Sequence, residues 1–276
     1  MQIITSIATM NEACRLASRS GPLALVPTMG ALHAGHLSLV ARARAECHTV
    51  VASLFVNPLQ FAPGEDFDRY PRHLGQDSDL FAAAGVDLLL APAADAMYPA
   101  GSQSFVDPGP LGDRLDGAHR PGHFRGVATV VAKLFHIVGP ARAYFGQKDA
   151  VQIAVLRQMI RDLNFPLELI ACATVRAPDG LALSSRNAYL SSADRTRALS
   201  LNAALSAIDQ AIRGGNRNPA SLNQLARAQL ADIQPEYLAL VDPNTLLPVP
   251  TVIPGTLIAV AARVGATRLI DNILAP

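Results

Sequence analysis

Two histidines three residues apart, His33 and His36, follow a glycine-bearing turn in "VPTMGALHAGHLSLV" (26–40). Residues 23–26 read as a short buried strand, and Leu37, Leu39, Val40 and Ala43 as the apolar positions of a helix. The imidazoles therefore stand at a helix mouth, where unpaired N–H groups and the positive dipole end attract an anion. Side chains at i and i+3 point to the same side of the turn and can add hydrogen bonds to phosphate oxygens. Gly30 and Gly35 would let backbone come close to such a group. Ordinary capping or packing, or a metal site, would also use these residues, although no third metal ligand is evident nearby. The stretch is neither GxGxxG nor GxxxxGK[ST], which disfavours dinucleotide and P-loop chemistry.

Four more stretches carry groups of the same kind. "FVNPLQF" (55–61) offers Asn57 and Gln60, neutral amides suited to hydroxyls or a carboxylate, though Asn57-Pro58 alone would be explained as a turn. "YFGQKDA" (144–150) offers a turn at Gly146, a cation at Lys148, and Asp149 where a helix N-cap would sit, with Gln152 facing the same way. "LALSSRN" (181–187) places Ser184, Ser185 and Arg186 in one loop, either an anion clamp or a flexible linker. "GAHRPGHFRG" (117–126) adds two arginines and two histidines, as part of the site or as a charged surface loop.

Strand-like runs at 23–26, 49–56, 86–90, 142–145 and 167–171 alternate with periodic helical segments at 35–47, 74–84, 126–138 and 150–163. That alternation predicts an α/β fold with a doubly wound parallel sheet. Ligands bind such sheets at the carboxyl ends of the strands, and the polar clusters follow strands one, two, four and five. Beyond about residue 175 the texture changes. Helices are expected over 192–213 and 219–231, with Gly214-Gly215-Asn216 between them. "EYLALVDP" and "TLIAVAARVGATRLID" read as antiparallel strands joined by the proline-rich 243–254 segment. The expected division is 1–175 as the ligand-binding domain and 176–276 as a smaller α+β domain, with the 178–187 loop as hinge or lid.

The bulk properties exclude several classes. The chain has 276 residues, half of them hydrophobic and 16% charged, with a net charge of +1 and basic residues spread along it. A nucleic-acid or anionic-membrane surface is not indicated. Cys14, Cys47 and Cys172 are odd in number and far apart, which fits a reduced, cytoplasmic setting. No signal peptide is recognisable, and no apolar run approaches the roughly 18 to 20 residues of a membrane span.

The HxGH after "PTMGAL", with a later Ser-Ser-Arg loop, resembles the HIGH and KMSKS pair of the adenylyl-transferring superfamily. More narrowly, "PTMGALHAGHLSLV", "FVNPLQFAPGEDFDRYPR", "GAHRPGHFRGVATVVAKLF", "YFGQKDA" and "PDGLALSSRNAYLS" resemble the pantothenate synthetase (pantoate–β-alanine ligase) family over about 20–195. The resemblance implies a Rossmann-like, HUP-type domain, a homodimer, and ligation of pantoate to β-alanine with Mg-ATP through pantoyl adenylate. It maps nucleotide binding onto Met29, Gly30, Ala31, Leu32, His33, Ala34, Gly35 and His36, then Gly146, Gln147, Lys148 and Asp149, then Val175, Leu183, Ser184, Ser185 and Arg186. It maps the proton-donor histidine onto His36, pantoate onto Gln60 and Gln152, and β-alanine onto Gln60.

The residue chemistry adds roles to that map. His33, His36 and Lys148 would stabilise the phosphates, with Ser184, Ser185 and Arg186 as a lid. Asp149 would take the ribose hydroxyls, and Asn57 joins Gln60 and Gln152 as a pantoate candidate. The lid loop lacks the lysine of the broader KMSKS pattern, and Ala34 and His136 depart from common family residues. No magnesium ligand can be named. The alternatives are a nucleotidylyltransferase that keeps the nucleotide on its product, a nucleotide-sensing module without turnover, and a histidine-ligated metallohydrolase. A tRNA synthetase is disfavoured by chain length and near-zero charge.

Overall fold

The run Thr49–Leu54 is buried at every position except its last, the signature of a strand covered on both faces. In the computed structural model, which describes residues 1–230 and 233–276, this strand lies within a six-stranded, wholly parallel sheet. The elements are β1 (Gln2–Ile4), α1 (Ile7–Ala17), β2 (Leu23–Thr28), α2 (Ala34–Glu46), β3 (Thr49–Leu54), α3 (Leu74–Ala83), β4 (Leu88–Leu90), α4 (Ala94–Met97), α5 (Asp116–His119), α6 (His123–Val138), β5 (Arg142–Gly146), α7 (Ala150–Asp162) and β6 (Glu168–Cys172). The strand order is β1-β4-β3-β2-β5-β6, so the chain winds one way from β2 to β4 and the other way from β5 to β6. This is the doubly wound, Rossmann-like sheet that the strand–helix alternation predicts.

Strand alternation sorts the side chains into two layers. Leu23, Leu25, Val51, Ala143 and Phe145 point into a core shared with α1, α6 and α7. Ala24, Val26, Val50, Ala52 and Tyr144 point the other way, onto Leu39, Val40 and Ala43 of α2 and Phe81 of α3. Four elements have no counterpart among the sequence expectations: α1, and β1, α4 and α5, whose three or four residues are too few to show a period. The strand expected at 86–90 starts at Leu88, and the helix expected from 126 starts at His123, capped by Gly122.

The chain continues as α8 (Ser192–Arg213), α9 (Pro219–Gln229), β7 (Pro235–Val241), β8 (Leu257–Val264) and β9 (Thr267–Leu274). The expected extension of α9 to residue 231 lies outside the described residues. β7, β8 and β9 form an antiparallel sheet in that order. The single run "TLIAVAARVGATRLID" is thus two strands, folded back on themselves at Gly265-Ala266. Leu201, Leu205, Ile208 and Leu222 of the two helices pack with Leu238, Val260 and Leu269 of this sheet. Val241, Leu246, Leu257 and Ala259 instead join the core of the parallel sheet, so apolar side chains cross the seam. Among the described residues, no helix is long and apolar enough to cross a membrane.

Gly126 shows how tightly the first sheet's loops are set. A Cβ there would stand 2.2 Å from the Leu59 carbonyl oxygen and 2.7 Å from the Gln60 amide nitrogen. Helix α6 and the 3-10 turn Pro58–Gln60 therefore touch backbone to backbone. Gly126→Ala gains about 1 kcal/mol of helix propensity, but the overlap displaces the turn. We expect a net loss of about 1–3 kcal/mol, read as a lower denaturant midpoint at constant slope. An unchanged midpoint would show that the turn gives way freely.

Candidate active site

β2 pairs with β3 along its whole length, from Leu23↔Thr49 to Thr28↔Leu54, but with β5 only at Ala24↔Arg142 and Leu25↔Ala143. Pro27, which has no N–H, falls beyond the last pair with β5. The two strands part where the winding direction reverses, and a crevice opens at their carboxyl ends, the expected ligand position in such sheets. The loop after β2 carries His33 into it and the first turn of α2 carries His36, while the loop after β5 carries Lys148 and Asp149.

The two imidazoles close a reciprocal cap on α2. His33 Nδ1 accepts from the Gly35 amide at 3.1 Å, and His36 Nδ1 accepts from the His33 amide at 3.3 Å. With Nδ1 as acceptor in both rings, the proton sits on Nε2. Both imidazoles therefore do cap the helix, and the cap also fixes the tautomer. Burial, and then the neighbouring His33, push the His36 pKa down to about 3. Burial and Lys148 lower that of His33. Both are neutral N–H donors at ordinary pH.

This corrects the dipole argument. The amides of Gly35, His36 and Leu37 are all hydrogen-bonded within the turn, so imidazole nitrogens replace bare backbone as the donors on offer. Gly35 serves the His33 ring, because a Cβ there would meet its Cε1 at 2.8 Å. The preceding loop is held from α3: the buried Asp77 carboxylate accepts from the Ala31 amide at 3.0 Å and the Leu32 amide at 2.9 Å. This holds Ala31 at φ 52°, in the left-handed region.

Two adjoining cavities occupy the crevice. One, of about 170 Å³, is lined by Met29, His33, Gly35, His36, Gly146, Lys148, Asp149, Val175, Leu183, Ser184, Ser185 and Arg186. Most of the expected nucleotide residues thus meet in one place. Lys148 Nζ lies 3.6 Å from Asp149 Oδ1, and Asp149 makes no side-chain cap on α7, contrary to the simplest local expectation for it. Gly30, Ala31, Leu32 and Ala34 belong to the loop and first helical turn behind this wall. Gln147 faces the other way, its side chain donating to Asn272 of β9 at 3.2 Å.

The second cavity, of about 150 Å³, shares Pro27, Met29, His36, Tyr70, Phe145, Asp149 and Gln152 with the first. Its apolar wall is Phe55 with Val127, Val130, Val131 and Leu134 of α6, and its polar groups include Gln60, Gln152 and Ser53. Asn57 also lines it, but its amide is saturated by the protein. Asn57 Nδ2 donates to Gln60 Oε1 and the Gly126 carbonyl, and Oδ1 accepts from the Leu59 amide and the Tyr98 hydroxyl. Asn57 thus orients Gln60 and leaves no group for a ligand. Ser53, not anticipated from sequence, has a buried hydroxyl without a protein partner among the described residues.

The loop 117–126 braces this wall. His123 Nδ1 donates to the Gln60 carbonyl at 2.7 Å, and Arg120 donates to His123 Nε2 at 3.0 Å and to Glu65 at 2.7 Å through two nitrogens. Arg186 does not stand free: it donates to both Asp66 oxygens at 2.8 Å, while Ser185 Oγ and the Tyr70 hydroxyl lie 3.1 Å apart. Burial opposes charge on Asp66, and the Arg186 hydrogen bonds outweigh it, holding the carboxyl below its usual range. The 178–187 segment is thus docked on the 65–70 loop rather than hanging as a linker. Asp77 lies in no motif stretch, and Asp66, Tyr70 and Gly126, although inside motif stretches, are not singled out there by residue type or spacing; only their partners do that.

His36 and His123 both have pKa values pushed down to about 3, chiefly by burial, from an ordinary value of 6.5. As pH falls below 6.5 the unfolded chain takes up these protons first, so stability drops with falling pH and is fully present above that value. Denaturation midpoints should fall as pH drops from 6.5 towards about 3, less steeply in His123→Asn. Parallel profiles for the two proteins would refute a buried neutral His123.

The comparisons with known proteins agree with this geometry. The family model described as pantoate-beta-alanine ligase matches residues 2–274. A pantothenate synthetase of Acidobacterium capsulatum is 55% identical over 91% of this chain and 85% of its own. One from Koribacter versatilis is 49% identical over 99% of this chain and 96% of its own. The crystal structure of pantothenate synthetase from Thermus thermophilus superposes with a TM-score of 0.95 at 49% identity, covering all of both chains. That of the Francisella tularensis pantoate-beta-alanine ligase, in complex with β-γ ATP and β-alanine, gives 0.83 at 33% identity over 99% of this chain and 97% of its own. With the whole length matched in sequence and in structure, the chain belongs to the pantoate–β-alanine ligase family.

Proposed function

We propose that this chain joins pantoate to β-alanine at the expense of ATP, through pantoyl adenylate, with release of pyrophosphate and AMP. The observation that carries this reading is the shared wall. A cavity with an apolar side and neutral amides opens, across His36, Asp149 and Gln152, onto a cavity rimmed by N–H donors and cations. The Francisella tularensis relative, which holds β-γ ATP and β-alanine, supports it.

In the first step a pantoate carboxylate oxygen attacks the α-phosphorus, and the bond to the bridging β-oxygen breaks. Negative charge moves onto the leaving pyrophosphate, so catalysis is largely a matter of placing donors and cations around it. His33 and His36 supply Nε2–H donors, and Lys148 a cation near the α-phosphate. Ser184, Ser185 and Arg186 take the β- and γ-phosphates once Arg186 exchanges Asp66 for them. Asp149, free of any capping duty, takes the ribose hydroxyls.

Gln60 and Gln152 hold pantoate with neutral groups, which leaves its carboxylate nucleophilic, and the valines of α6 face its two methyl groups. In the second step the β-alanine amine attacks the acyl carbon, AMP leaves with the bonding pair, and the amine gives up a proton. Among the described residues no cluster of three or more His, Cys, Asp or Glu forms a resident metal site. Magnesium enters with the substrate as Mg-ATP, because that ion keeps several waters and binds through substrate phosphates. Residues 1–175 supply most of the substrate site and 176–276 the lid loop and its support. The family likeness alone supports a cytoplasmic homodimer.

Pantoate-dependent exchange of labelled pyrophosphate into ATP, without β-alanine, is the decisive test. His36→Ala and Lys148→Ala should each slow it roughly 100-fold or more, from a loss of about 3 kcal/mol of transition-state stabilisation. Silence of the wild-type protein, with or without β-alanine, would sink the ligase reading in favour of a nucleotide-binding module. Gln60→Ala should mainly raise the pantoate KM. If pantoate dependence stays unchanged, Gln60 does turn work only.

A further inference from the structure

The turn that carries Lys148 is held from the other sheet. Asn272 of β9 is 4% exposed, and its amide nitrogen donates to the Gln147 carbonyl at 2.9 Å and the Lys148 carbonyl at 2.8 Å. Its amide oxygen accepts from Gln147 Nε2 at 3.2 Å. Local contacts do little of this work, since neither the 3-10 turn Gln147–Asp149 nor the start of α7 has a side-chain cap.

The preceding residue, Asp271, is equally buried and accepts from Arg176 NH1 at 2.6 Å and NH2 at 2.9 Å. Arg176 NH1 also donates to the Gly180 carbonyl at 3.1 Å. This closes the narrow hairpin in which Arg176 bridges to Ala182, and Ser184, Ser185 and Arg186 follow directly. Successive residues of a strand point to opposite faces, so adjacent positions can serve two different segments. Neither Asp271 nor Asn272 lines the nucleotide cavity.

We propose that Asp271 and Asn272 are positioning residues for the nucleotide. Asn272 sets where the Lys148 ammonium stands, and Asp271 acts through Arg176 on the Ser184–Arg186 loop. The C-terminal sheet thereby aligns two cationic segments that come from different loops. The inference rests on the adenylate-forming reading above. It matters there because phosphoryl transfer depends on placement, and a displacement of about 1 Å can slow a reaction roughly 100-fold.

The test is a double-mutant cycle between Asn272→Ala and Lys148→Ala. In the wild-type background Asn272→Ala should slow pantoate-dependent exchange about 10- to 100-fold, with the pantoate KM within about twofold. In the Lys148→Ala background the same substitution should change the residual rate less than about threefold, because the group it positions is gone. Equal effects in both backgrounds, or a normal rate in the single variant, would overturn the proposal.

Asp271→Asn keeps the side chain's shape and tests the second arm if Asn272→Ala folds poorly. It should raise the ATP KM about tenfold in the wild-type background and not in Arg186→Ala; a rise in both, or in neither, tells against it. ATP affinity, measured by calorimetry on the same proteins, runs both cycles without chemistry. A wild-type chain that binds ATP but performs no exchange would count against the ligase reading alone, while the affinity cycles still decide this one.

Discussion

Everything at the site depends on where β2 and β5 stop pairing. Two adjacent parallel strands that stayed in register to their ends would bring their loops together and leave no room for substrates. Here the ladder ends at Leu25↔Ala143, while β2 continues alongside β3 to Thr28. One side of the crevice is built from the ends of β2 and β3 with α6, the other from the ends of β5 and β6 with the first turn of α2. Each side makes a cavity, and the residues at the split, among them His36, Phe145 and Gln152, belong to both. A reaction that must bring an acid to a phosphate needs such a shared wall. The topology supplies it before any particular side chain is chosen.

The second feature is how charge is managed within this wall. The histidines are neutral because they are buried and because their Nδ1 atoms serve as backbone acceptors. The cations have carboxylate partners: Arg186 with Asp66, Arg120 with Glu65, and Lys148 with Asp149. A partly buried unpaired cation would be expensive, so the protein satisfies these groups internally; under the function proposed above, a triphosphate would take the place of Asp66 at Arg186. The Arg186 pair is the informative one, because it docks the Ser-Ser-Arg segment onto a different loop from the one its own chain continues into.

Sequence pattern reveals one class of residue here and hides another. The central strands β2, β3 and β5 announce themselves because burial on both faces makes them nearly continuously apolar, and Lys148, His33, His36 and Arg186 do so because they follow strands in compact motifs. At the helix mouth the local pattern points to a different role from the one the structure gives. Paired histidines near glycines look like backbone prepared for phosphate, yet Gly35 makes room for a histidine ring and the amides are already bonded. Asp149 misleads in the opposite direction, since local rules make it a cap and the structure leaves it facing the cavity. Asn57 looks like a ligand contact until its partners are known, and one of them, Gly126, is 69 residues away.

That separation has a physical basis. A residue that touches substrate must present a particular chemistry at a particular loop, and loop and chemistry are both local. A residue that supports it needs only to be the right shape at the right place, and any part of the chain can provide that. Asp77 reaches the Ala31 amide across 46 residues and Asn272 reaches the Gln147 turn across 125, through single side chains with no motif around them. The C-terminal third, which shows little chemistry in its sequence, is therefore not a neutral cover. Its antiparallel sheet places β9 against the loop after β5, and the buried amide of Asn272 is satisfied only if that loop is where Lys148 requires it to be.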